Sequence, residues 1–169
     1  MPITAIPTSG PQASTLTTSG ETKSFNVIGP ASFMLSDLRV EGVDITTLAP
    51  SNSPYIIGMD EGFLLSVQVS FDHSALTTLL MCLGTSVKID FAVEGFGKGA
   101  VETDLETTIT TMQGVFDYVV KFPGTPRMAG LTPGFYEVAG VATIGPVTHQ
   151  CGQLVLGYGY IGEFRFQVF

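Results

Sequence analysis

The chain has no tryptophan, only two cysteines, and only seven lysines and arginines among its 169 residues. Each shortage excludes something. Two cysteines permit at most one internal bridge, so a hydrophobic core must hold the fold, and a chain of this length can build one in a single domain. The basic residues are Lys23, Arg39, Lys88, Lys98, Lys121, Arg127 and Arg165, scattered along a sequence of net charge −8. No basic stripe is available to neutralise phosphates, which argues against nucleic acid and against anionic lipid. No apolar run approaches the roughly 20 residues of a membrane helix. The N-terminus also lacks the basic start and apolar stretch of a secretory signal. The default expectation is a cytoplasmic chain with no membrane partner and no cofactor. Cys82 and Cys151 are then expected to be reduced, buried thiols.

What is present is apolar. Hydrophobic residues make up 44% of the chain and charged residues only 13%, against roughly 25% charged in an average domain. So few charges cover a monomer poorly. Part of the surface is expected to lie against a partner, unless Thr, Ser and Gly cover it.

Residues 1–24 form a Thr-, Ser-, Gly- and Pro-rich arm whose only charges are Glu21 and Lys23. Such a stretch buries too little apolar surface to order itself, so a neighbouring subunit is its expected support, with its own domain as the alternative. Residues 25–169 read as one domain. "FLLSVQVSF" sets Phe63, Leu65, Val67, Val69 and Phe71 on one face. "VKIDFAVE" does the same with Val87, Ile89, Phe91 and Val93, and "FDYVVKF" with Phe116, Tyr118, Val120 and Phe122. In "EFRFQVF", Phe164, Phe166 and Val168 face inward. Alternation of this kind marks half-buried strands. Further strands are expected at Phe25–Ile28, Phe33–Val43 and Leu154–Ile161. In the last, Gly157 and Gly159 suggest a bulge or the close approach of a second backbone.

One segment departs from period two. In "SALTTLLMCLG", Leu76, Leu79, Leu80 and Leu83 recur at helical spacing, with Ser74 placed as N-cap and Gly84 just past the end. The expected fold class is therefore all-β: an antiparallel Greek-key β-sandwich of about seven to eight strands with one short helix.

"LTPGFYEV", Leu131–Val138, carries a more specific signal. Pro133 and Gly134 offer turn geometry, with positive φ accessible at the glycine. Tyr136 then opens a strand on which Tyr136, Val138, Gly140 and Ala142 share a face. The motif resembles the tyrosine corner of immunoglobulin-like and fibronectin type III domains. That resemblance implies a Greek-key sandwich and a Tyr136 hydroxyl bonded to backbone a few residues upstream. The Cys…Trp…Cys pattern of antibody domains is absent.

Residues that could carry chemistry are few. Asp72, His73 and Ser74 are adjacent, so their side chains diverge, and a turn with a helix cap explains them better than a catalytic triad. His73, Cys82, His149 and Cys151 are zinc-ligand types without an anchoring close pair. Gly95, Gly97, Lys98 and Gly99 form a glycine-rich loop that matches no phosphate-binding fingerprint and reads as a hairpin. Glu102, Asp104 and Glu106 alternate, which on a strand aligns three carboxylates for a possible calcium site or for a charged, soluble edge. The expected function is that of a non-enzymatic structural protein, a homo-oligomer whose arm contacts a neighbour. A calcium- or carbohydrate-binding module is the alternative.

Overall fold

The computed structural model describes residues 23–24, 27–44, 46–51, 55–99 and 101–169. Most of the N-terminal arm therefore lies outside the described residues. The strands are β1 (Lys23–Ser24), β2 (Val27–Ile28), β3 (Phe33–Val43), β4 (Ile56–Ile57) and β5 (Gly62–Phe71), then β6 (Thr85–Phe96), β7 (Glu102–Thr110), β8 (Asp117–Gly124), β9 (Gly134–Val147) and β10 (Gly157–Val168). Among the described residues one α-helix, α1 (Ala75–Leu83), joins β5 to β6.

Two sheets result. One has the order β1-β3-β5-β8; the other runs β2-β10-β9-β6-β7, with β4 added in parallel to β10. The chain crosses between sheets at α1, again between β7 and β8, and again between β8 and β9. Strand β8 therefore pairs with β5, and β9 sits between β6 and β10. These non-sequential pairings make the fold the expected all-β Greek-key sandwich with one short helix.

The alternation read from the sequence fixes which face each strand buries. Phe63, Leu65, Val67 and Val69 of β5 meet Val87, Ile89, Phe91 and Val93 of β6 and Tyr136, Val138, Ala142 and Ile144 of β9 in one core. Burying each large apolar side chain contributes about 1.5–3 kcal/mol. Strand β3 interrupts its own alternation. Its register against β5 shifts between Ser36 and Arg39, and Asp37 takes φ 51°, so Leu35 and Leu38 both turn inward. That is a bulge, and it breaks the alternation between Leu35 and Leu38.

Several local expectations are corrected. Residues 25 and 26 of the first expected strand lie outside the described residues; only the two-residue strands β1 and β2 flank them. The strand expected from Leu154 starts at Gly157. A second backbone does come close at Gly157, where a Cβ added to Gly29 would stand 2.7 Å from the Gly157 Cα, while Gly159 makes room for a side chain: a Cβ there would stand 2.7 Å from the Phe33 ring. Gly134 does not take positive φ; Gly130, with φ 75°, does so in the preceding turn.

The helix has the expected caps, since Ser74 accepts from the Thr77 N–H and Gly84 takes φ 69°. Its buried face, however, is Thr77, Leu80 and Met81, while Leu76 and Leu79 are exposed. Cys82 is a free, exposed thiol rather than a buried one, because it follows the buried pair on the solvent side.

Candidate functional site

The most distinctive surface is the outer face of the six-stranded sheet. Pairing across β10, β9, β6 and β7 places Arg165, Glu137, Glu94 and Glu102 in one row, and Gln167, Phe135 and Phe96 in the next. A row toward the other end holds Tyr160, Val141, Asp90 and Glu106.

The Phe135–Phe96 row ends in a groove. Tyr55, Ile56, Phe96, Phe135, Arg165 and Gln167 line a space of about 250 Å³. Three of its apolar residues are strongly exposed: Ile56 at 48%, Phe96 at 50% and Phe135 at 61%. Alternation explains why. Phe135 and Phe96 occupy outward positions of β9 and β6, where the neighbouring inward Tyr136 is fully buried. Ile56 arrives on β4, opposite Gln167. Arg165 borders the groove, its guanidinium carbon 5.8 Å from the Phe96 ring centroid, a cation–π arrangement. The same group donates to Glu137 at 2.7 Å, and that bond raises the Arg165 pKa further.

Beside the groove the face turns acidic. Glu102, Asp104 and Glu106 share the exposed side of β7, as their spacing requires. Strand β7 is the edge of its sheet, so the row of carboxylates lies along an edge, where like charges discourage strand addition. Glu106 is bound by the Lys88 ammonium at 2.9 Å, which also reaches Asp90 at 3.0 Å; these contacts raise the Lys88 pKa. Glu94, Glu102 and Asp104 border a shallow concavity. Among the described residues they have no cationic partner, and no three His, Cys, Asp or Glu side chains are grouped to hold a metal.

The other chemistry-bearing residues fall into structural roles. Asp72 and Ser74 do meet, but as part of the helix cap. The Asp72 carboxylate accepts from the Thr77 hydroxyl and, at 2.9 Å, from the Ser74 hydroxyl. Those bonds, Thr77's first, hold its carboxyl below the usual carboxylate range. His73 turns away and stacks on Phe116, with centroids 4.1 Å apart. Gly97 and Gly99, with φ 93° and 87°, form the β6–β7 hairpin loop.

Tyr136 forms the expected corner. Its hydroxyl donates to the Thr132 carbonyl at 2.6 Å and accepts from the Thr132 N–H at 3.0 Å. Thr132 also donates to the Gly99 carbonyl at 3.2 Å, tying the corner to the hairpin loop. A second tyrosine does similar work without a sequence motif. Tyr118 accepts from the Met112 N–H at 2.9 Å and donates to the Val115 carbonyl at 2.8 Å, closing the β7–β8 turn.

Among the described residues no helix is long and apolar enough to cross a membrane. No protein-family model matches the chain, and no curated protein matches it.

Proposed function

We propose that this chain is a non-enzymatic interaction module of the immunoglobulin-like type that associates with copies of itself. The type rests on strand order and on the corner. Of the seven long strands, the first, second and fifth share one sheet, and the third, fourth, sixth and seventh share the other. This resembles the fibronectin type III arrangement; the immunoglobulin constant domain puts its fourth strand in the first sheet instead. The Tyr136–Thr132 bonds occupy the matching place, at the start of the sixth long strand.

Self-association rests on one observation above all: Ile56, Phe96 and Phe135 are each about half exposed and adjoin in one groove. Arg165 lies over the Phe96 ring, yet Phe96 is still 50% exposed. Such clustering on an otherwise folded domain marks an interaction surface. Light scattering over a wide concentration range tests the reading. A mass above that of one chain is expected at high concentration; a monomer throughout would remove it.

A further inference from the structure

Resting on that reading, we infer that the Phe96–Phe135 groove receives the N-terminal segment, residues 1–20, of a second copy.

Charge selects the occupant. The body carries the whole of the net −8, because Glu21 and Lys23 cancel; Arg165 at the groove is paired with Glu137, and the carboxylates of Glu94 and Glu102 fill the rest of the adjoining row. A second body brought face to face there meets its own like charge. Residues 1–20 contain no charged side chain. They can enter the groove without that repulsion.

Size and side chains agree. A stable contact between two globular surfaces buries about 800 Å² on each, whereas this groove of about 250 Å³ has room for only a few aliphatic side chains. Residues 1–20 offer Ile3 and Ile6, flanked by Pro2 and Pro7. In a polyproline-type path residues three apart recur on one face, about 9 Å apart, and aromatic-lined grooves recognise such segments.

Reach is sufficient as well. Residues 1–22 precede β1 and can span about 70 Å when extended, against a radius of gyration near 15 Å for a domain of this size. Strand β1 pairs Lys23 with Ser36 and Ser24 with Leu35, so the chain enters β1 from the Val43 end of β3. Gly159 packs near Leu35 at the opposite end of β3. The later part of β10, with Gln167 at the groove, therefore lies toward the side from which β1 is entered, so an arm can reach its own groove as well as a neighbour's, and the mass in solution separates the two.

The test uses full-length protein throughout. Light scattering compares the wild type, Phe135→Glu and the double variant Ile3→Asp/Ile6→Asp, then the wild type with excess synthetic peptide of residues 1–20. Wild type is expected to assemble; both variants should have the mass of one chain, with unchanged melting temperature for the arm variant. Excess peptide should lower the wild-type mass. If Phe135→Glu dissociates the assembly while the arm variant and the peptide leave it intact, a second body fills the groove and the inference is wrong. If wild type assembles and nothing changes its mass, self-association stands and the groove assignment fails. A wild type that is monomeric throughout removes both.

Discussion

The hydroxyl of Tyr136 bonds Thr132 twice, donating to its carbonyl at 2.6 Å and accepting from its N–H at 3.0 Å. The ring lies in the core, stacked on Phe166 with centroids 5.5 Å apart. Tyr136→Phe keeps the ring and removes both bonds, leaving two backbone groups at the β8–β9 turn short of a partner. The expected cost is about 1–3 kcal/mol in denaturant unfolding. Because the ring is retained, the mass in solution should not change. A variant that unfolds like the wild type but loses assembly would reassign Tyr136 from architecture to recognition.

Asp72 makes stability depend on acid. Hydrogen bonds from Thr77 and Ser74 hold its folded pKa below the ordinary carboxylate value, which is about 3.9 in an unfolded chain. As pH falls, the unfolded chain takes up this proton first. The stabilisation is thus complete above about pH 5 and is lost as pH drops through the depressed folded value. Asp72→Asn should melt below the wild type at neutral pH, and the gap should close as the medium becomes strongly acidic. A gap that stays constant across the titration would show that the carboxylate's charge is not what the cap uses.

Gly159 and Phe33 occupy one space. A Cβ at 159 would lie 2.7 Å from the Phe33 ring and 3.1 Å from Leu35. Gly159→Ala should cost about 1–3 kcal/mol through overpacking. Phe33→Leu shortens the obstructing side chain, so the double variant should be more stable than the two single losses added together. Simple additivity in a double-mutant cycle would mean the two sites do not compete for the same volume.

The sandwich was legible because its signal is redundant. Strands β5, β6, β8 and β10 each repeat the same alternation, and the corner at Tyr136 adds a local device that makes sense only between two sheets. The bulge at Ser36–Arg39 leaves only a faint mark: Leu35 and Leu38 stand three apart, out of step with period two, and Asp37 between them is a residue type that tolerates its φ of 51°. The groove was not legible. Phe96 and Phe135 are adjacent only because β6 and β9 pair in one register, and Ile56 joins them through a parallel contact with β10. Each alone is an ordinary outward residue of a strand; sequence shows the residues but not their convergence. Glu102, Asp104 and Glu106 could be placed on one face, but their position at a sheet edge depends on the full strand order.

The helix gives the clearest separation between pattern and packing. Leucine spacing points to a stripe of Leu76, Leu79, Leu80 and Leu83, yet burial selects Thr77, Leu80 and Met81. The polar anchor lies at the end of the helix: the Thr85 hydroxyl donates to the Leu80 carbonyl at 2.7 Å, and its N–H donates to the Thr111 hydroxyl at 2.8 Å. Met81 reaches the core, where the Tyr118 hydroxyl lies 3.7 Å from its sulfur. Leu80→Ala should cost about 2–5 kcal/mol, as expected for a buried leucine. Leu79→Ala, at 53% exposure, should change stability by no more than about 0.5 kcal/mol. Equal losses at the two positions would restore the leucine stripe as the buried face and overturn the orientation described above.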